Sequence, residues 1–234
     1  MRYFKSRLEA GKLLAEQIAP KYAQKTCAVV ALSDGSIMVG AQIALKLRCV
    51  LTMLLTESIV LPRENEAAAV VGQDGQMVYN ALYSAGEIDE IQGEFRTYIE
   101  GQRIEKIHKM NTLLRNGNLI RRDLLTHHNV ILVSDGLNDG STLDAAAEFL
   151  KSVPMSSLVI ATPLASVPAV DRMHVLADDI FCLNVLTDYI NTDHYYEIMD
   201  IPDHDAVVKT IQNVVQHWQQ LEQPGSVNHY EPTK

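Results

Sequence analysis

The chain has 234 residues, 47% of them hydrophobic and 21% charged, with a formal net charge of −9. That is an ordinary globular balance with enough apolar side chains for a sizeable core. The acidic excess excludes a broad Lys/Arg surface for nucleic acid.

In chain order, the N-terminus lacks the apolar centre of a signal peptide, and no stretch reaches the ~20 apolar residues of a membrane span, so a cytoplasmic location and no membrane partner are expected. Arg7 to Ala19 places Leu8, Leu14, Ala15 and Ile18 at helical spacing, and Pro20 reads as the helix end. Cys27 to Leu32 is a continuous apolar run of strand length, and Ser33 to Ser36 breaks it as a loop. A helix is expected over Ile37 to Leu47, and a second buried strand over Val50 to Leu55. Strand, loop, helix and strand in this order point to a βαβ unit and a parallel sheet.

Residues 64–83 hold Gly72 and Gly75 between short β-like segments and read as a hairpin. Glu87 to Leu114 is a long polar helix with Ile91, Phe95, Ile99 and Ile107 on one stripe, ended by Asn116-Gly117. The run Glu94 to Lys109 within it reads as a solvated face. The α/β alternation then returns: strand Val130 to Val133, helix Thr142 to Leu150, strand Leu158 to Ala161, helix Val167 to Leu176 and strand Ile180 to Leu183. Asp203 is placed to cap a last helix through Leu221. Residues 1–222 are expected to form one domain, and 223–234 a flexible tail.

Three cysteines, Cys27, Cys49 and Cys182, give no disulfide framework and no zinc spacing; Cys27 and Cys182 read as core residues. His127-His128 reads as a solvated turn, because no carboxylate or Cys stands at ligand spacing.

The segment with chemical content is Val130-Ile131-Leu132-Val133-Ser134-Asp135-Gly136-Leu137-Asn138-Asp139-Gly140-Ser141-Thr142. A buried strand runs into a loop of small and polar residues from which a helix starts. Backbone N–H groups and the dipole of such a helix start favour an anion. Ser141 and Thr142 add hydroxyl donors, and a carboxylate at the strand end accepts hydrogen bonds from sugar hydroxyls. Ligands of open parallel sheets bind beyond these strand ends.

This segment resembles the 5-phosphoribosyl diphosphate motif of type I phosphoribosyltransferases: four apolar residues, two acids, three small or apolar residues, then Thr-Gly-x-Thr. Arg7-Leu8-Glu9-Ala10-Gly11-Lys12-Leu13-Leu14-Ala15 is similar to the opening helix of a bacterial subgroup of that family. Val159 to Ala165 is similar to the strand after its motif, and Tyr195-Tyr196-Glu197 with Asp203 and Val207 to its C-terminal region. The resemblance covers about residues 3 to 216. It implies an α/β fold with a parallel sheet flanked by helices and a small hood, within 64–120 and the C-terminal part. It implies that Asp135 holds ribose hydroxyls, beside Ser134, and that Asn138, Asp139, Gly140, Ser141 and Thr142 cradle the 5-phosphate. Ser33, Asp34, Gly35 and Ser36 would form the diphosphate loop. Magnesium would bridge diphosphate and ribose if the protein is active, and a homodimer is the expected assembly.

The sequence departs from this pattern at charged positions. The first acid of the pair is Ser134, and the Thr before the motif glycine is Asp139. Asp34 stands where the subgroup has Arg in its diphosphate loop, and Thr56-Glu57 where it has Arg-Lys, with Arg63 close by. Each change removes positive charge or adds negative charge where a highly anionic ligand would sit, and phosphoribosyl transfer relies on stabilising the leaving diphosphate. Two readings remain. One is an impaired or non-catalytic member that keeps a ribose-phosphate loop, as a nucleotide sensor or partner subunit. The other is an active transferase moving phosphoribose to a nucleobase-like acceptor that the sequence does not identify. Tyr195-Tyr196 stacks on a base or packs the hood against the sheet, packing being the favoured reading.

Overall fold

The structure, a computed structural model, describes residues 3–64, 67–80, 82–115 and 124–221. In chain order it contains α1 (Arg7–Tyr22), β1 (Cys27–Ala31), α2 (Asp34–Leu47), β2 (Val50–Met53), β3 (Thr56–Val60), β4 (Ala67–Gly72), β5 (Met77–Tyr79) and α3 (Ala85–Arg115). There follow β6 (Asn129–Val133), α4 (Ser141–Leu150), β7 (Ser157–Ser166), α5 (Val167–Leu176), β8 (Asp179–Leu186), a 3-10 turn (Thr192–Tyr195) and α6 (His204–Leu221).

Five strands form a parallel sheet in the order β2-β1-β6-β7-β8. The inner strands β1 and β6 read as nearly unbroken apolar runs because both faces are covered, whereas the edge strand β8 is only half-buried and carries Asp179 and Asn184. Val29, Ala31, Ile131, Val133 and Val159 face one core with residues of α1, α2 and α6. The alternate residues Ala28, Val30, Val130, Leu132 and Ile160 face a second core with Leu143 and Phe149 of α4 and Met173 of α5. The period-2 alternation of a strand thus divides each run between two helical layers. Cys27 is a buried core residue as expected, whereas Cys182 is half-buried on the edge strand β8; burial pushes both thiols up to about 11.

The structure corrects several boundaries. Pro20 does not end α1, which continues to Tyr22. Tyr22 is buried, and its hydroxyl hydrogen-bonds Asp179 on β8, an anchor that outweighs one lost helical N–H. The expected loop at 33–36 is instead the start of α2. Ser33 caps the helix, its hydroxyl accepting from the Ser36 amide at 3.1 Å, while the Ser36 hydroxyl accepts from the Ser33 amide at 2.7 Å. This reciprocal pair satisfies amides that a loop would leave for a ligand.

The expected hairpin is present as β4 and β5, with Gly75 turning between them at φ +79. It belongs to a three-stranded antiparallel sheet, β3-β4-β5, whose first strand the sequence reading left out. The hood therefore begins at Thr56 rather than near residue 64. α3 covers it, bent at Phe95 (φ −109, ψ 15), with Ile99 buried. The helix stop expected at Asn116-Gly117 and the tail at 223–234 lie outside the described residues. Asp203 caps α6 as expected, accepting from the Ala206 amide at 2.8 Å. No described helix is long and apolar enough to cross a membrane.

α1 and α2 cross at Gly11, where an added Cβ would lie 2.8 Å from the Val39 Cα and carbonyl oxygen. On α3, a Cβ at Gly101 would meet nothing within 4 Å. Opposite signs are expected in urea denaturation. Gly11→Ala should destabilise by about 1–3 kcal/mol through overpacking, and Gly101→Ala should stabilise by up to about 1 kcal/mol through helix propensity.

Candidate functional site

The parallel strands all point their carboxyl ends at one edge, and a cleft of ≈ 450 Å³ opens there between that edge and the hood. Its floor is the loop from Ser134 to Gly140 and the first turn of α4. Its opposite wall is β3, through Thr56, Ser58 and Val60. A separate cleft of ≈ 530 Å³, lined by Tyr79, Arg96 and Glu100, lies within the hood.

The loop is rigidly tied. The Ser134 hydroxyl donates to the Gly136 carbonyl at 2.8 Å and accepts from the Gly136 amide at 3.2 Å, closing a tight turn. Leu137 bridges to β7, its amide bonding Leu164 at 3.0 Å and its carbonyl accepting from Ser166 at 2.9 Å. The Ser166 hydroxyl donates to the Asn138 carbonyl. Gly140 has φ +81, and a Cβ there would sit 2.9 Å from the Arg172 Cβ. Only glycine satisfies both conditions.

Asp135 is buried and turned away from the helix start, towards α1 and α2. Its Oδ2 accepts from Arg7 Nε at 2.7 Å, its Oδ1 from the Ser33 hydroxyl at 2.8 Å, and its carbonyl from the Tyr196 hydroxyl at 2.6 Å. Arg7 is 1% exposed. Its other nitrogens reach Asp193 and Asp200, and its guanidinium lies 4.5 Å over the Tyr196 ring. Burial alone would lower the Arg7 pKa, but the bond to Asp135 and the charges of Asp135 and Asp193 outweigh it and the pKa is raised. Burial and the Asp135 charge push the Tyr196 phenol up, and burial takes that of Tyr189 up to about 12. Tyr195 and Tyr196 are buried beside Phe4 and Leu164. Their rings pack the N-terminal segment against the sheet end, rather than the hood.

Asp139 takes the place expected of a ligand. Its Oδ1 accepts from the Ser141 amide at 2.9 Å and from the Ser141 hydroxyl at 2.8 Å, while its Oδ2 faces the Asn80 side-chain amide of the hood at 3.3 Å. A carboxylate at a helix start is stabilised by the amides and the dipole there. Those are the same donors that would hold a phosphate. A phosphate about 4 Å from it would be repelled by about 4 kcal/mol per pair of unit charges at an effective dielectric of about 20.

The cleft therefore gathers Ser33, Ser134, Asp135, Asn138, Asp139, Gly140, Ser141 and Thr142. Of the positions expected to hold diphosphate, Asp34, Gly35 and Ser36 do not line it. Asp34 is the first residue of α2, and a Cβ on Gly35 would strike Asp135 Oδ2. Glu57 turns to α3, paired with Lys106 at 3.5 Å and Lys109 at 2.6 Å. Among the described residues no Lys, Arg or His lines the cleft. Arg7 is the site residue the sequence reading missed. Its signal was a charge on the same helical stripe as Ala10, Gly11 and Leu14.

Residues 5–197 match the phosphoribosyl transferase domain family. Over 184 residues the chain is 26% identical to a protein of Mycobacterium tuberculosis, known from strains CDC 1551 and H37Rv and named provisionally as a phosphoribosyl transferase. That match takes in 78% of this chain and 40% of the relative, so the chain spans about two fifths of the length of the curated proteins it matches. The crystal structure of TT1426 from Thermus thermophilus superposes with a TM-score of 0.68 at 23% identity, over 91% of this chain and 99% of that one, a likeness of fold.

Two substitutions test the geometry. Arg7→Met should cost about 3–5 kcal/mol in urea denaturation, because it leaves the buried Asp135 charge without its partner. Asp139→Thr should free the α4 amides. Its melting temperature should then rise with added inorganic phosphate by about 2–4 °C per kcal/mol of linkage, while that of the natural chain stays fixed.

Proposed function

The chain belongs to the phosphoribosyl transferase domain family, and from that premise we propose that it is a member without transferase activity, acting as a binding or regulatory protein. The observation that carries this reading is the Asp139 carboxylate seated on the Ser141 amide and hydroxyl. A phosphorylated sugar would have to displace a tethered anion from a helix start and then lie against it.

Three further features support it. The segment expected to wrap diphosphate is the cap and first turn of α2, with the Ser33 and Ser36 amides engaged by the reciprocal Ser33–Ser36 cap. Stabilisation of a leaving diphosphate needs preorganised positive charge, and the described cleft lining contains none. The donor set also does not fit magnesium. Both Asp135 oxygens are engaged by Arg7 and Ser33, the neighbouring Ser134 is closed on Gly136, and no group of three carboxylate, His or Cys ligands occurs among the described residues. Magnesium keeps much of its near-octahedral shell as water and takes one or two carboxylates from a protein; here both cleft carboxylates are already committed, Asp135 to Arg7 and Ser33 and Asp139 to Ser141 and Asn80.

What these residues do is hold a shaped, polar cleft at the sheet edge. Arg7 fixes Asp135, Asn80 ties Asp139 to the hood, and the Ser134 turn sets the floor. Titration calorimetry of the full chain with 5-phosphoribosyl diphosphate and magnesium should give no binding heat. A coupled assay with a panel of purine and pyrimidine bases should release no diphosphate. Micromolar binding, or diphosphate release dependent on a base, would overturn the reading in favour of an active transferase.

A further inference from the structure

We infer that the cleft between the sheet edge and the hood takes an uncharged polyhydroxylated ligand, of the size of a pentose or a pentoside, in preference to any phosphorylated form of it. The inference rests on the non-transferase reading above and names the ligand class of the same site.

The size of the cleft, ≈ 450 Å³, lies within the range of small-molecule sites. Charge decides against an anion. The lining carries two carboxylates, Asp135 and Asp139, and no cationic side chain among the described residues. The one cation behind it, Arg7, is shared by Asp135, Asp193 and Asp200, so that cluster keeps a negative excess.

Lone pairs decide against a bare cation. An ionised carboxylate offers about four acceptor positions. Asp139 already receives the Ser141 amide, the Ser141 hydroxyl and the Asn80 amide, and Asp135 receives Arg7 Nε and the Ser33 hydroxyl. What is left is one or two acceptor positions on each, too few to replace the oxygen shell of a divalent ion but suited to single hydroxyl donors.

The rest of the wall matches hydroxyl chemistry. Thr56, Ser58 and Thr142 bring hydroxyls to the cleft and Asn138 a side-chain amide, none of them engaged with another described side chain or backbone group. Each is both donor and acceptor, as a sugar hydroxyl is. Leu32, Val60 and Leu137 supply an apolar surface for the C–H face of a ring. Acceptors without cations, ambivalent hydroxyls and one apolar wall together select a neutral polyol.

The test uses the full chain, with inosine and D-ribose as uncharged probes, ribose 5-phosphate and inosine 5′-phosphate as their phosphorylated counterparts, and spermidine as a cationic probe. Ligand-observed saturation-transfer NMR and calorimetry read the binding. An uncharged probe should bind at least about tenfold more tightly than its phosphate, from repulsion by Asp139 and the Asp135 cluster. Asp139→Thr should reverse that order. Thr142→Val should weaken the uncharged probe severalfold while leaving the melting temperature of the free protein unchanged.

If the phosphorylated probes bind the natural chain as well as the uncharged ones, or if spermidine alone binds, the inference is wrong. If neither inosine nor D-ribose binds and 5-phosphoribosyl diphosphate is also inert, the ligand class is wrong and the non-transferase reading stands. Diphosphate release from 5-phosphoribosyl diphosphate sinks that underlying reading whatever inosine does.

Discussion

One guanidinium, that of Arg7, is withdrawn from water where α1, the loop after β6, the start of α2 and the C-terminal segment around residues 193–200 meet. A buried charge is tolerated only with partners. Here the carboxylate partners, Asp135, Asp193 and Asp200, are all remote from Arg7 in the chain, so this contact specifies the tertiary arrangement. Asp135 cannot turn outward without leaving Arg7 behind, and α1 cannot shift without uncovering both. Asp200 adds a second tie by accepting from the Arg7 backbone amide at 3.2 Å. The cleft floor is held from behind by this cluster, and the residue that most resembles a ligand-binding acid serves first as the counter-charge of a structural arginine.

The second constraint is a helix start supplied with its own anion. In a loop that leads from a buried strand into a helix, the first amides need an acceptor. Gly140 at the α4 N-cap has no side chain to offer, and Asp139 immediately before it fills that role. The contact to Asn80 extends the effect, because Asn80 is buried and also donates to the Ala67 carbonyl at 3.0 Å while accepting from the Leu82 amide at 3.0 Å. The hood edge and the loop are therefore joined through the very group that blocks an incoming anion. A local substitution has become part of the packing between two sheets.

The layer architecture was legible because its signals are thermodynamic. The runs at Cys27, Val130 and Leu158 are apolar at every position, as burial on both faces requires, and loops of Gly, Asp and Ser separate them from helical periods. β3 was not legible. Thr56-Glu57-Ser58-Ile59-Val60 has one buried residue, Ile59, and its place is set by pairing with β4 and by Glu57 reaching two lysines of α3. Such long-range partners leave no local period. The Ser33-Asp34-Gly35-Ser36 turn carried a readable signal, since Ser at the cap and a hydroxyl three residues later form a capping pair. The resemblance to a loop masked it. Arg7 was hidden for the opposite reason: its burial depends on Asp135, Asp193 and Asp200, all remote in sequence.

Counting charges by position therefore gives a poorer account of the site than following each side chain to its partner. Asp34, Thr56, Glu57, Ser134 and Asp139 all looked hostile to a phosphorylated ligand in the linear sequence. In the fold they separate. Asp34 lies in the first turn of α2, where a carboxylate is favoured by the helix dipole. Glu57 spends its charge on Lys106 and Lys109. Ser134 closes a turn, and Thr56 offers a neutral hydroxyl to the cleft. Only Asp139 puts a negative charge at the helix start itself, and it does so through hydrogen bonds that the fold uses. With Asp135 held back on Arg7 and no cation in the described lining, Asp139 is the one of these five positions that sets the charge at the helix start, which is why exchanging it changes the kind of ligand the cleft can hold more than any change at the other four.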